Sequence, residues 1–397
     1  MKVTEMVNGI DLRPQKISAR EVPHAVIEPN YTCNRRCALC YNRYRDIVKS
    51  FEQITAEVEQ ALMKRNLETI SILGGEPTLH PCLPQIVSYI KNKKLVCQIL
   101  TNGLVLYKDI HNVLLDQLVQ AGLDRIVLHV DCGQGLDQEE MDVMCEALFT
   151  KFEQRKLYFA LSITLYEANK DAIPGLMKRY AHYRYFDGIL ATLARETSRV
   201  LRSDSPPTRM PELKAVYRCI ANKLRIEPSS YLPSNLDDRE IRWLIYFYYM
   251  NVNTGATVSI SPTLTRLFRR IYRFITGRHM FAATMKASFF KIWFFITTAL
   301  ELLLKPARFP EFIHLVNNSA LMKDLRFHYI VLQSAPQFNP EKQCVEICYH
   351  CPDATIRNGR LTPVCLADLI SPPGKHSVED GGDAALADMI YEHLEEV

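Results

Sequence analysis

Between residues 24 and 195 the apolar and polar positions follow one repeating rhythm. Short apolar runs stand at 24–28, 69–73, 96–100, 125–131, 157–164 and 187–194. Longer stretches between them, at 55–65, 84–93, 109–121, 137–154 and 170–182, place apolar residues three or four apart, as Val58, Ala61 and Leu62 show. Short apolar runs bounded by turns predict buried strands, and a 3.6-residue period predicts helices. Strands alternating with helices make parallel βαβ units, so the chain is predicted to be α/β with six parallel strands.

Polar turns follow the first three strands. After strand 24–28 and the loop Pro29–Thr32 comes Cys33-Asn34-Arg35-Arg36-Cys37-Ala38-Leu39-Cys40, a C-x3-C-x2-C run. The second strand runs into Gly74-Gly75-Glu76-Pro77 and the third into Thr101-Asn102-Gly103. α/β barrels place their chemistry at the C-terminal ends of strands. Glycines let a backbone approach a ligand closely, and proline fixes the exit angle. The Glu76 carboxylate can accept from an ammonium group. Four thiolates close a metal site, whereas three leave an iron-sulfur cluster one open iron. A zinc site or a set of buried thiols is the competing reading, but zinc usually takes paired knuckles that Cys33–Cys40 does not supply.

These three motifs, in this order on successive strands, resemble the radical S-adenosylmethionine (SAM) enzymes. The resemblance covers roughly residues 24–195. It implies a partial (β/α)6 TIM-type barrel in which Cys33, Cys37 and Cys40 hold a [4Fe-4S] cluster. SAM would bind the open iron, and Gly74, Gly75, Glu76 and Pro77 would meet its methionyl end. Thr101 and Asn102 share that rim. The position before the last cysteine, often aromatic in the family, is Leu39, with Tyr41 beside it as a candidate for the cofactor. The resemblance further implies reductive SAM cleavage, a 5′-deoxyadenosyl radical that abstracts hydrogen from an unactivated C–H bond, and an electron donor such as flavodoxin or ferredoxin.

Polar residues on the later strands point to the same cavity, because inward polar groups are costly unless they bind something. Ser162 and Thr164 alternate on the fifth strand, and Thr192 lies on the sixth. His129 and Asp131 share one side of the fourth strand and are the candidates for substrate contact or proton handling. For each of these, a satisfied internal hydrogen bond is the competing reading.

The C-terminal part repeats the spacing in Cys344, Cys348 and Cys351, with Cys365 as a fourth. Asn358-Gly359 between two strand-like runs predicts a hairpin that returns Cys365 to the other three. The segment resembles the SPASM or twitch extensions that carry an auxiliary [4Fe-4S] cluster; a zinc site with four thiolates is the alternative. The predicted organisation is therefore 1–196 barrel, 197–330 helical insertion, and 331–397 small cysteine-rich domain. Cys97 and Cys145 read as core thiols.

From Ile241 to Leu300 there is no Asp or Glu, but there are eight Lys or Arg and both tryptophans. Around 264–275 four arginines share one helical face and apolar residues the other, a pattern that suits an anionic membrane surface. The uncharged run 292–300 is too short to span a bilayer. The net charge of +4 does not by itself imply nucleic acid. No apolar signal segment opens the chain, and twelve cysteines in a reducing compartment point to metal ligation more than to disulfides. The expected substrate is a small molecule or membrane lipid handled in the cytoplasm, with a peripheral seat on the inner membrane face. Peptide modification is a rival reading, although 23 residues before the first strand leave little room for a leader-binding module. RNA modification and a non-catalytic iron-sulfur electron carrier are the others; nucleic acid is not expected.

Overall fold

The computed structural model describes residues 10–37, 40–42, 46–130, 137–194, 211–281, 290–316, 323–339 and 344–370. Six strands form in the predicted order: β1 (His24–Ile27), β2 (Thr69–Ile72), β3 (Val96–Thr101), β4 (Arg125–His129), β5 (Tyr158–Leu165) and β6 (Phe186–Leu193). They are consecutive and parallel in one sheet. Intervening helices cover them, including α1 (Phe51–Lys64), α2 (Leu83–Asn92), α3 (Leu104–Lys108), α4 (Val113–Gln120), α5 (Gln138–Gln154) and α6 (Ala172–Tyr180). β1 and β2 are buried throughout, as strands covered on both faces must be. The helix expected at 109–121 begins only at Val113, as α4, because its cap Asn112 adopts φ 56°, and the short α3 before it was not expected. Ser50 and Asp137 close capping boxes that set the starts of α1 and α5.

Beyond β6 the structure departs from expectation. Segment 197–330 contains helix α7 (Leu213–Leu224) but also β7 (Ser230–Pro233), β8 (Ile241–Asn251) and β9 (Thr257–Ser259). β10 (Leu325–Gln333) pairs parallel with β6 and antiparallel with β8, so the expected boundary at 330/331 falls inside a strand. Among the described residues the sheet therefore has ten strands and continues past β6, beyond the six strands expected. The cause is the composition of β8. Ile-Arg-Trp-Leu-Ile-Tyr-Phe-Tyr-Tyr-Met-Asn is apolar on both faces, as a central strand requires. Arg242 and Trp243, read from sequence as parts of a membrane-facing insertion, are 3% and 5% exposed.

Helices α8 (Pro262–Thr276), α9 (Phe290–Leu304) and α10 (Phe309–Val316) complete this half. Among the described residues no helix is long and apolar enough to cross a membrane. The C-terminal segment adds β11 (Gln337–Asn339) with β12 (Cys344–Glu346), then the hairpin β13 (Ala354–Arg357) and β14 (Arg360–Pro363), then α11 (Val364–Ile370). The hairpin turn is the predicted Asn358-Gly359, with φ of 47° and 74°. Both residues in the left-handed region match a two-residue hairpin of the primed kind. β13 packs beside β1 and α1, so this segment covers the open edge of the sheet.

Two buried arginines hold it there. Arg65, just past α1, donates to the carbonyls of His24, Cys351 and Pro352 at 2.7, 2.9 and 3.2 Å. Arg357 pairs with Glu28 at 2.7 Å and Asp368 at 3.1 Å, and its guanidinium lies 5.0 Å from the Tyr31 ring centre. Glu28 ends the first strand segment and Tyr31 precedes Cys33, so the C-terminal segment is tied directly to the root of the first cysteine loop.

Candidate functional site

One cavity of about 240 Å³ opens at the C-terminal ends of the strands. Cys33, Cys37 and Cys40 line it from one side, and Cys348, Cys351 and Cys365 from the other. The hairpin thus returns Cys365 to its predicted neighbours. The side chain of Cys344 lies outside the described residues. Among the described residues no three His, Cys, Asp or Glu side chains form a ready-made ion site.

The Gly-Gly-Glu turn fixes the first cysteine loop. Gly75 N–H donates to Asn30 O and Glu76 N–H to Thr32 O, both at 2.8 Å. A Cβ on Gly74 would lie 2.2 Å from Asn30 O, and one on Gly75 2.2 Å from Thr32 O. The close approach that these glycines permit is therefore to the chain's own backbone, next to Cys33. Asn30 Nδ2 closes the joint by donating to the carbonyls of Thr32 and Glu76.

Glu76 is 1% exposed and lines the cavity. One carboxylate oxygen accepts from the Thr101 hydroxyl at 2.6 Å and from the Thr78 hydroxyl and amide. The other accepts from Asn102 N–H at 2.8 Å. Burial raises its pKa, and these donors oppose the rise. Each carboxylate oxygen has two acceptor positions, so the Asn102-bonded oxygen can still take a donor from a ligand. Asn102 Nδ2 donates to Asn34 Oδ1 at 2.8 Å and lies 4.0 Å from Cys33 Sγ. The third strand's tip is thereby locked to the cysteine loop. Pro77, expected among the cofactor residues, is not part of the cavity wall; it is buried as the first residue of the 3-10 turn Pro77–Leu79.

The later strands supply the polar groups predicted. His129, Ser162, Thr192 and Tyr41 all line the cavity. His129 Nδ1 is 3.3 Å from Ser162 Oγ. Asp131 lies outside the described residues, as does Leu39. Thr192 donates to Gln333 at 2.8 Å, and Gln333 donates to Asp353 at 3.0 Å. That chain joins β6, β10 and the C-terminal cysteine loop. The Tyr41 hydroxyl is buried with no hydrogen-bond partner, and burial raises its pKa well above the usual value.

Arg242, Trp243, Gln333 and Asp353 also form the wall and were not anticipated. Arg242 donates to Ala335 O at 3.1 Å and pairs with Glu346, while its Nε has no partner. The signal for it was a lone arginine in an unbroken apolar run. Cys348 and Cys351 are hydrogen-bonded to each other, which lowers the Cys348 pKa and raises that of Cys351; Arg242 adds to the first effect. A thiol held toward its thiolate form is suited to a metal, since the thiolate is the ligand. Cys33 Sγ accepts from Arg35 N–H at 3.4 Å. Soft donors in two groups of three fit thiolate-bound iron better than hard cations.

Comparison with known proteins agrees with the motifs. Residues 27–136 match the model of the Radical SAM superfamily. The GTP 3′,8-cyclase of Chlorobaculum tepidum is 34% identical over 128 residues, 30% of this chain and 36% of the relative. An S-adenosylmethionine-dependent nucleotide dehydratase of Flammeovirga pacifica is 27% identical over 144 residues, 34% of this chain and 46% of the relative. The chain thus spans less than half the length of these relatives. Among solved structures, Streptococcus suis SuiB bound to S-adenosylmethionine superposes with a TM-score of 0.41 at 17% identity, over 51% of this chain and 48% of that one. By the family-model match, residues 27–136 carry a radical SAM domain, a family whose cofactors are a [4Fe-4S] cluster and SAM.

Proposed function

We propose that this radical SAM protein is an enzyme that cleaves SAM reductively and abstracts hydrogen from an unactivated C–H bond of an amphiphilic, lipid-like substrate. One observation carries the reading: the two cysteine groups and the buried Glu76 carboxylate face a single cavity at the C-terminal strand ends. Cys33, Cys37 and Cys40 would hold the SAM-binding cluster, and Cys348, Cys351 and Cys365, with Cys344, an auxiliary one. When bound, the cluster and SAM supply a one-electron cleavage that yields the 5′-deoxyadenosyl radical.

The chain's own residues do the rest. Glu76 accepts the methionyl ammonium, and its four internal donors fix the carboxylate so that little reorganises on binding. Gly74, Gly75, Thr101 and Asn102 set the height of that rim. Tyr41 offers its unpartnered hydroxyl near the cysteine loop. Ser162, Thr192 and His129 bind polar atoms on the strand side, and His129 can hold a proton shared with Ser162. Leu73, Leu190, Trp243 and Ile347 exclude water from the reacting carbon. Arg242 offers an N–H to an anionic head group, so apolar and basic walls together suit an amphiphile. A one-electron donor such as flavodoxin or ferredoxin reduces the enzyme.

A nucleotide substrate is the second reading. It is favoured by the relatives whose names specify GTP and a nucleotide, and Arg242 could equally meet a phosphate. Anaerobic reconstitution with iron, sulfide, SAM and dithionite tests the chemistry: 5′-deoxyadenosine is expected, and none would overturn it. Lipid mass spectrometry of cells with and without the protein tests the substrate; an unchanged lipid profile moves the reading to a nucleotide.

A further inference from the structure

Helix α8 is mounted the opposite way from an ordinary surface helix. Its arginine face is turned onto the protein. Arg266 pairs with Asp11 at 3.1 Å, and Arg273 pairs with Glu21. Tyr272 donates to Glu68 at 2.6 Å, and Arg278, just past the helix, pairs with the same carboxylate at 3.4 Å. Arg269 lies on this face too, where desolvation lowers its pKa to about 10. The apolar face is left outside. Phe274 is 91% exposed, Ile275 74%, and Ile271 and Leu267 are exposed beside them. An apolar stripe normally faces the core. Here Pro262, Leu264 and Thr265 are buried and Phe268 packs partly against the core, while Leu267, Ile271, Phe274 and Ile275 stay outside.

Neighbouring helices extend the surface. α9 packs against α8 and exposes Ile296, Leu303 and Leu304; α10, joined to α9 by a short turn, exposes Phe309 and Ile313. Exposed apolar side chains gathered on neighbouring helices mark an interaction site. Arg270 on α8 and Lys305 just past α9 are exposed cations beside these residues in the sequence. The only acidic residue on α8 or α9 is Glu301, which is buried, paired with Arg308, and accepts from Ser261 N–H. On α10, Glu311 is exposed and tied to Arg308.

We propose that the outward face of α8 to α10 docks on an anionic lipid bilayer, with Phe274 and Ile275 entering the acyl boundary and Arg270 and Lys305 meeting the head groups. The charge of these cations decides the occupant. A symmetric pair of copies would set Arg270 and Lys305 near their own kind, whereas an anionic surface complements them. The proposal rests on the lipid-like substrate of the functional reading and not on the chemistry, so the two can fail separately.

The test uses the reconstituted full-length protein with phosphatidylcholine vesicles, with and without phosphatidylglycerol, read by flotation. Binding is expected only with the anionic lipid. Phe274→Ser with Ile275→Ser should weaken it roughly tenfold or more, and Arg270→Gln roughly fivefold. Both variants alter exposed side chains, and SAM cleavage measured in solution should be unchanged. No flotation of the wild type, with SAM cleavage intact, overturns the docking proposal alone. Flotation without SAM cleavage overturns the reading of the site instead. A dimer by light scattering that the double variant dissociates, with no vesicle binding, would show that the face joins two copies and would also overturn it.

Discussion

Gly75→Ala should damage the first cysteine loop far more than it damages the fold. An added Cβ would lie 2.2 Å from Thr32 O, 2.4 Å from Tyr31 O and 2.6 Å from Tyr31 C. A carbon–oxygen contact needs about 3.3 Å, so the Tyr31–Thr32 peptide must retreat by about 1 Å. All three atoms are backbone, so no side-chain rotation relieves the clash. Overpacking costs about 1–3 kcal/mol, and weakening the two amide bonds of this joint adds about 1 kcal/mol. At about 1 °C per kcal/mol for a chain of this length the melting temperature should fall by about 2–5 °C, leaving a folded protein. The retreat displaces Cys33, the next residue. Iron bound after anaerobic reconstitution should therefore fall by roughly half, the share of one four-iron cluster out of two. The matched control is Gly175→Ala, inside α6, where nothing lies within 4 Å of the added carbon. It should stabilise the protein by about 0.5–1 kcal/mol and keep the full iron content. A Gly75→Ala protein with full iron and wild-type SAM cleavage would refute the reasoning.

Three further outcomes are expected. Arg357→Met leaves Glu28 and Asp368 buried without their cation and should cost about 3–5 kcal/mol by urea unfolding; adding Glu28→Gln should restore part of that loss, and no restoration would contradict the pairing. His328 is fully buried against Phe186 and Tyr248, and desolvation lowers its pKa to about 3. Because the unfolded chain binds the proton first, stability should drop as pH falls below about 6.5, by at most about 1.4 kcal/mol per unit for this group, and His328→Gln should flatten that slope. Glu76→Gln keeps the shape of the rim but removes the charge that faces an ammonium; SAM affinity measured by calorimetry should fall roughly tenfold, and an unchanged affinity would remove Glu76 from the cofactor site.

The first half of the molecule was readable because its signals are local. Six apolar runs and their helices fall within a few residues of their predicted limits, and the Asn358-Gly359 turn fixes its hairpin through two left-handed residues. β8 was not readable. A strand buried on both faces has no alternation, and its aromatics and single arginine look like a membrane-facing segment until Glu346 and Ala335 are seen to hold Arg242. β10 escaped for a related reason: its partners β6 and β8 are distant in sequence, so nothing near it announces the pairing. The arginine face of α8 was correctly seen as a face, but its direction depends on Asp11, Glu21 and Glu68, which no helical period records. At the site, the cysteines, the Gly-Gly-Glu turn and the strand-end polar residues were legible as types. Their junctions were not, such as the glycines packing on Asn30 and Thr32 and the relay from Thr192 through Gln333 to Asp353.

The decisive measurement is electron–nuclear double resonance on the reduced, reconstituted protein with SAM labelled with nitrogen-15 at its amine. A hyperfine coupling from that nitrogen to cluster iron is expected, lost in Cys33→Ala and kept in Cys348→Ala. Coupling that survives Cys33→Ala, or none in the wild type, would contradict the claim that the first cysteine group leaves an iron for the cofactor.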